Sequence, residues 1–282
     1  MMLDFLDLTK PRITALILIC TAVGYLFGAP NSFQLALFVH ALLGTALMAS
    51  GTAALNQWSE AESDAKMRRT SKRPIPAGRI KRNHAFVFGV LLSAAGFADL
   101  WFGTNALAAA LGLFTLATYI FLYTPLKRRS AVCTTVGALP GAMPPLIGYA
   151  TASGALDAGA IALFLILFVW QFPHFYAIAW LYREDYARGG IRMLPVVEPD
   201  GESTAWRIVA CSVLLIPISL VPRLLGMTGS IYAGAAIAAG LVLLYYGLRL
   251  GRERTLIGAR RVLLASVAYL PVLLGVMVLD RL

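Results

Sequence analysis

The sequence predicts an all-α, polytopic membrane protein of nine transmembrane helices, and three observations predict it. The 282-residue chain is 59% hydrophobic and only 13% charged, with a mean hydropathy of +0.74, outside the composition of a soluble globular domain. Apolar runs close to the ~20 residues needed to cross a hydrocarbon core recur along the chain. Lys and Arg are also shared unequally between alternate connections, as membrane insertion requires.

The runs are Ile13–Gly28, Phe33–Leu55, Phe86–Phe102, Ala106–Tyr123, Thr134–Ala152, Ala158–Leu181, Ile208–Val221, Ile231–Leu248 and Val262–Leu279. Asp4 and Asp7 precede the first bases, and no small-residue cleavage site follows the first run, so that run is expected to be a helix rather than a cleaved signal peptide. Connections on one side, such as Ala29–Ser32 and Gly103–Asn105, are short and nearly uncharged. Those on the other are long and polar, above all Asn56–His84 and Tyr182–Arg207. Of the 24 Lys and Arg, all but Arg223 and Arg281 fall on the side of the N-terminus and the long loops. This places the N-terminus in the cytoplasm and the C-terminus on the opposite side of a cell inner membrane.

The net charge of +10 is accounted for by that bias, so nucleic acid is not an expected partner and the bilayer is. Cys20, Cys133 and Cys211 lack CxxC spacing and lie in apolar context, which predicts small buried hydrophobes rather than a disulfide framework or metal site. No soluble domain or linker interrupts the runs, so residues 1–282 are expected to form one membrane domain.

The first long loop holds the chemistry. If the second helix continues past Asn56, then Asn56, Glu60 and Asp64 share a face at successive i+4 positions. Oxygen donors of this kind hold hard divalent cations, Mg²⁺ above all, together with substrate phosphate oxygens. Arg68, Arg69, Lys72 and Arg73 follow directly, charge-matched to an anion such as a diphosphate. Glu62 lies on the opposite face. The competing reading, a solvated loop whose charges pair locally, is disfavoured by the spacing, by the position at a membrane helix end and by the rigid Pro74-Ile75-Pro76.

The pattern Asn56-x3-Glu60-x3-Asp64-x2-Met67-x-Arg69-Thr70-x2-Arg73-Pro74 resembles the first acidic motif of the UbiA superfamily of intramembrane prenyltransferases. Within that superfamily it is similar to the protoheme IX farnesyltransferases. Tyr123-Thr-Pro-Leu-Lys127-Arg128-Arg129-Ser130, Gly141-Ala-Met-Pro144-Pro145, Gln171-Phe-Pro173-His174-Phe175 and Arg183-Glu184-Asp185-Tyr186 continue the resemblance in order. It implies a UbiA-type bundle that transfers a farnesyl group from farnesyl diphosphate to a vinyl group of heme b, with addition of water. It further implies Mg²⁺ and diphosphate at Asn56, Glu60 and Asp64, with Arg69, Lys72, Arg73, Lys127 and Arg128 on the diphosphate or the heme propionates. Tyr123 is expected to face the allylic cation, Asp185 to supply a contact from a thinned second acidic site, and His174 to touch the acceptor heme. Cys133 stands where many relatives carry Asn. Heme A synthase or a terminal oxidase assembly is the candidate protein partner.

Overall fold

The computed structural model describes residues 2–29 and 33–282; most of the expected Ala29–Ser32 connection lies outside the described residues. The order is α1 (Met2–Leu8), α2 (Pro11–Gly28), α3 (Leu35–Lys66), α4 (Arg82–Gly103), α5 (Ala106–Ala117), a π-helical turn (Thr118–Tyr123), α6 (Thr124–Leu126), α7 (Cys133–Gly141), α8 (Pro144–Ser153), α9 (Ala158–Leu181), α10 (Arg183–Arg188), α11 (Leu194–Val197), α12 (Glu202–Leu224), α13 (Ser230–Glu253) and α14 (Leu256–Leu279). Among the described residues the only β pairing is one bridge, Thr228 to Arg281.

Local chemistry sets the boundaries. Pro11 opens α2 where a missing N–H costs nothing. Asn105, Asp157 and Thr255 cap α5, α9 and α14 by accepting from backbone N–H groups of the first turn. Residues 56–66 hold no Gly or Pro and many good helix formers, so α3 runs unbroken to Lys66. The first long loop therefore starts at Met67 rather than Asn56.

Among the described residues, eight helices are long and apolar enough to cross a membrane: α2, α3, α4, the continuous stretch Ala106–Leu126, α9, α12, α13 and α14. The fifth expected span, Thr134–Ala152, is instead two short helices, α7 and α8, joined at Ala142-Met143. Pro140 leaves a gap in the backbone ladder, and Pro144-Pro145 start a new helix at first-turn positions. The chain is a multi-pass membrane protein.

The centre of the bundle is α9, which packs on α7, α8, α12 and α14. It buries Leu163, Ile166, Trp170, Tyr176 and Trp180, whereas the other spans leave many large apolar side chains at the surface, facing lipid. Helices α2 and α8 meet backbone to backbone, and a Cβ on Gly148 would overlap the Thr21 carbonyl and one on Gly24 the Pro145 carbonyl. Cys20 and Cys133 are buried and Cys211 partly so, all three as free thiols.

Candidate active site

The helical spacing does what the sequence leads one to expect: Asn56, Glu60 and Asp64 lie on one buried face of the C-terminal part of α3. Each is met by a cation or by a donor from another element. Glu60 accepts from Lys127 Nζ at 2.7 Å. Asp64 Oδ2 accepts from Arg73 Nη1 at 2.6 Å. Asn56 Oδ1 accepts from Lys10 Nζ at 3.0 Å, and its Nδ2 donates to Thr124 Oγ1 at 3.4 Å. Glu62, on the outer face, makes only a weak surface pair with Arg82 at 3.3 Å.

Lys10 is the residue that sequence reasoning overlooks. It holds a left-handed backbone, φ 50° and ψ 60°, at the cap of α2, which turns the chain into the membrane beside the α3 carboxylates. Desolvation, with the neighbouring Arg73 charge and against the Glu60 carboxylate, pulls its ammonium down to about 7. Lys127 behaves oppositely. Burial opposes its charge, but Glu60, in direct contact, holds it well above the usual lysine value. When Lys10 is charged, Lys10, Arg73 and Lys127 outnumber the Glu60 and Asp64 carboxylates, and the cluster carries a surplus of positive charge suited to an anion.

The donor set also fits a hard divalent cation. Asn56, Glu60 and Asp64 offer oxygen only, and Asp64 Oδ1 is buried without a hydrogen-bond partner, an orphan that calls for a partner. Among the described residues no three His, Cys, Asp or Glu side chains gather at one point. A cation bound here would therefore draw ligands from Asn56 and from substrate oxygens as well as from the acids.

Asp185 has protein partners of its own at this site. Its two oxygens accept from the backbone N–H groups of Arg68 and Arg69, each at 2.9 Å, and from Arg188 Nη2 at 2.6 Å. Burial works against its charge, yet those N–H groups and then Arg188 hold its carboxyl below the usual carboxylate range. Asp185 thus ties α10 to the start of the first long loop and fixes where Arg69 stands. The Arg69 guanidinium lies over the rings of Tyr182 and Tyr186, 5.2 and 5.7 Å from their centroids, and its Nη2 is 3.4 Å from the Tyr186 hydroxyl.

Beneath this charged layer a cavity of about 420 Å³ runs into the bundle. Lys10, Arg69 and Tyr186 line its polar end, and Ile17, Met48, Ile147, Leu167, Trp170 and Leu270 are among its apolar walls. Tyr119 and Tyr123, set by the π-helical turn and packed edge to face with centroids 5.0 Å apart, line it too. The Tyr123 ring carries the Lys127 ammonium 4.3 Å from its centroid, so it is an aromatic face already used by a cation. His174 also lines the cavity. A second, polar recess of about 300 Å³ is lined by Glu60, Lys127, Arg128 and Arg129. Lys72 joins neither; its side chain is exposed and its carbonyl accepts from Arg79. Cys133 faces the Met193 sulfur at 3.7 Å rather than the cavity.

An apolar intramembrane chamber with Lys10 and Arg69 in its lining, beside a polar recess that holds Glu60 and Lys127, is suited to a membrane-embedded enzyme acting on an amphiphilic anion. The model of the UbiA prenyltransferase family matches residues 17–275, and the chain belongs to that family. A protoheme IX farnesyltransferase of Solibacter usitatus is 57% identical, over 99% of both chains. A protoheme IX farnesyltransferase of Koribacter versatilis is 48% identical, over 99% of this chain and 93% of the relative. Among solved structures the fold is similar to that of a digeranylgeranylglyceryl phosphate synthase, with a TM-score of 0.82 at 18% identity over 99% and 98% of the two chains. It is also similar to a UbiA homolog from Archaeoglobus fulgidus bound to GPP and Mg²⁺, with a TM-score of 0.73 at 17% identity over 98% and 99%.

Proposed function

We propose that this chain converts heme b to heme O in the cell inner membrane, with its N-terminus cytoplasmic, by moving a farnesyl group from farnesyl diphosphate to a heme vinyl group. The observation that carries the reading is one continuous cavity with Lys10 and Arg69 at its charged end and His174 among its apolar walls. The identity to protoheme IX farnesyltransferases supports the choice of acceptor. The bonds balance: the allylic C–O bond breaks with its electron pair leaving on diphosphate, the vinyl terminus bonds to farnesyl C1, and water adds to the remaining vinyl carbon with loss of a proton.

The side chains have separate tasks in this reading. Asn56, Glu60 and Asp64 hold Mg²⁺, which when bound neutralises charge on the leaving group. Lys10, Arg69, Arg73, Lys127 and Arg128 supply the remaining positive charge to the diphosphate and the heme carboxylates. The apolar walls and the Tyr119–Tyr123 pair keep water from the allylic cation until the vinyl group attacks. Membranes carrying the chain, incubated with farnesyl diphosphate and heme b, are expected to form heme O with Mg²⁺ and to stop when it is chelated. Equal turnover in chelator would remove the metal assignment.

Lys10 is charged below its value of about 7 and increasingly neutral above it, so its help to an anion fades as pH rises through that point. Lys10→Met is expected to raise KM for farnesyl diphosphate about tenfold at pH 6, as loss of a charged hydrogen bond implies. The gap from wild type narrows toward pH 8. Kinetics of both proteins across that range check it.

A further inference from the structure

His174 is held by a residue far away in the sequence. Its Nδ1 lies 3.0 Å from Ser266 Oγ on α14, and that same hydroxyl donates to the Leu263 carbonyl at 2.7 Å. The hydroxyl has one proton, and it is spent on Leu263. Toward His174, Ser266 Oγ therefore acts as acceptor, and the imidazole must carry its proton on Nδ1. Nε2 is left as the nitrogen with a free lone pair. The ring is fixed further by Trp170, stacked on it with centroids 4.8 Å apart and planes 20° from parallel. Trp170 Nε1 in turn donates to the Ser266 carbonyl at 2.8 Å. Ser266 is fully buried and grips both rings, one through its side chain and one through its backbone.

His174 is the imidazole that lines the cavity; His40 pairs with Asp99 at 2.9 Å and His84 is exposed. An imidazole with Nδ1–H bonded outward and a free Nε2 is the arrangement in which proteins present histidine to a metal. From this geometry we infer that Ser266 is a positioning residue that locks His174 in the Nδ1–H tautomer, so that Nε2 ligates the iron of the heme acceptor. This rests on the heme-acceptor reading above. The bond to Ser266 sets the ring plane before the macrocycle arrives.

The test is titration of the purified full chain with heme b alone, followed by the Soret band and, after reduction, by the iron–histidine stretching frequency. His174→Ala is expected to abolish that stretch. Ser266→Ala is expected to weaken heme binding about tenfold and to lower the stretching frequency, while Ser266→Thr, which keeps the hydroxyl, stays close to wild type. Thermal melts of each variant without heme show whether the fold is kept, and a Ser266→Ala protein that melts like wild type isolates the positioning effect. Wild-type affinity and frequency in Ser266→Ala would overturn the role of Ser266, and an unchanged spectrum in His174→Ala would overturn ligation. If the added methyl of Ser266→Thr prevents folding, the frequency shift in Ser266→Ala decides alone. Heme O formation by wild type is measured in parallel. Product without a His174-dependent spectrum sinks this inference only, whereas the expected spectra without product sink the proposed reaction only.

Discussion

Replacing Asp64 with Asn is expected to lower farnesyl transfer on the order of 10²–10³-fold, the cost of removing one preorganised charge from a transition-state site. Asn is nearly the same shape, and the hydrogen bond from Thr70 Oγ1 to the Asp64 carbonyl at 2.9 Å does not depend on the side chain, so the variant is expected to fold. What it loses is charge at a buried point. Arg73 loses its 2.6 Å carboxylate partner, and the oxygen that has no protein partner, Asp64 Oδ1, loses its power to hold a cation. The effect should fall on kcat, with a higher Mg²⁺ requirement, since the charge on the leaving group grows as the C–O bond breaks. Steady-state rates over a Mg²⁺ series check this. Full activity at the same Mg²⁺ concentration would show that Asp64 only braces Arg73.

Gly148→Leu is expected to be the most damaging substitution away from the charged mouth, at about 3 kcal/mol or more of stability. Any Cβ at residue 148 would overlap the Thr21 carbonyl oxygen and crowd the Tyr25 backbone nitrogen. Backbone atoms cannot swing aside as a flexible side chain can, so α2 and α8 must separate. Separation would also disturb the cavity, because Cys20 and Ile17 on α2 and Pro144 and Ile147 near the start of α8 line it. Gly275→Ala is the control: nothing lies within 4 Å of its added Cβ, and its melting temperature should match wild type. Thermal unfolding of the purified variants in detergent measures both, and a Gly148→Leu protein that melts with wild type would refute the backbone contact.

Several features were open to sequence reasoning because they rest on local chemistry. The apolar runs mark most of the spans, and the i+4 spacing of Asn56, Glu60 and Asp64 announces a shared helical face. The break between α7 and α8 was written in Pro140, Pro144 and Pro145, but hydropathy averages over a break and reads Thr134–Ala152 as one span. Asp185 was harder, since its partners, the N–H groups of Arg68 and Arg69, lie more than a hundred residues earlier. No composition rule distinguishes a carboxylate that binds a metal from one that anchors a loop. Lys10 was hidden differently: a base just before the first membrane helix looks like any topological anchor, and only the left-handed turn into α2 reveals that it faces Asn56. Charge alone groups Lys72 with its basic neighbours, and its exposure comes only from the fold. For His174 an ionisable group in a membrane helix was a visible signal, whereas its Ser266 partner on α14 required the tertiary structure.

The proposed reaction is defined by its acceptor and by the bond made to it. The most direct measurement is mass analysis of the product formed by the purified chain from farnesyl diphosphate, heme b and Mg²⁺ in heavy-oxygen water. The predicted result is a heme that has gained one farnesyl group and one labelled hydroxyl oxygen at a single former vinyl group, with free diphosphate released in equal amount. A heme recovered unchanged while farnesyl diphosphate is consumed, or a farnesylated product without the labelled oxygen, would contradict it.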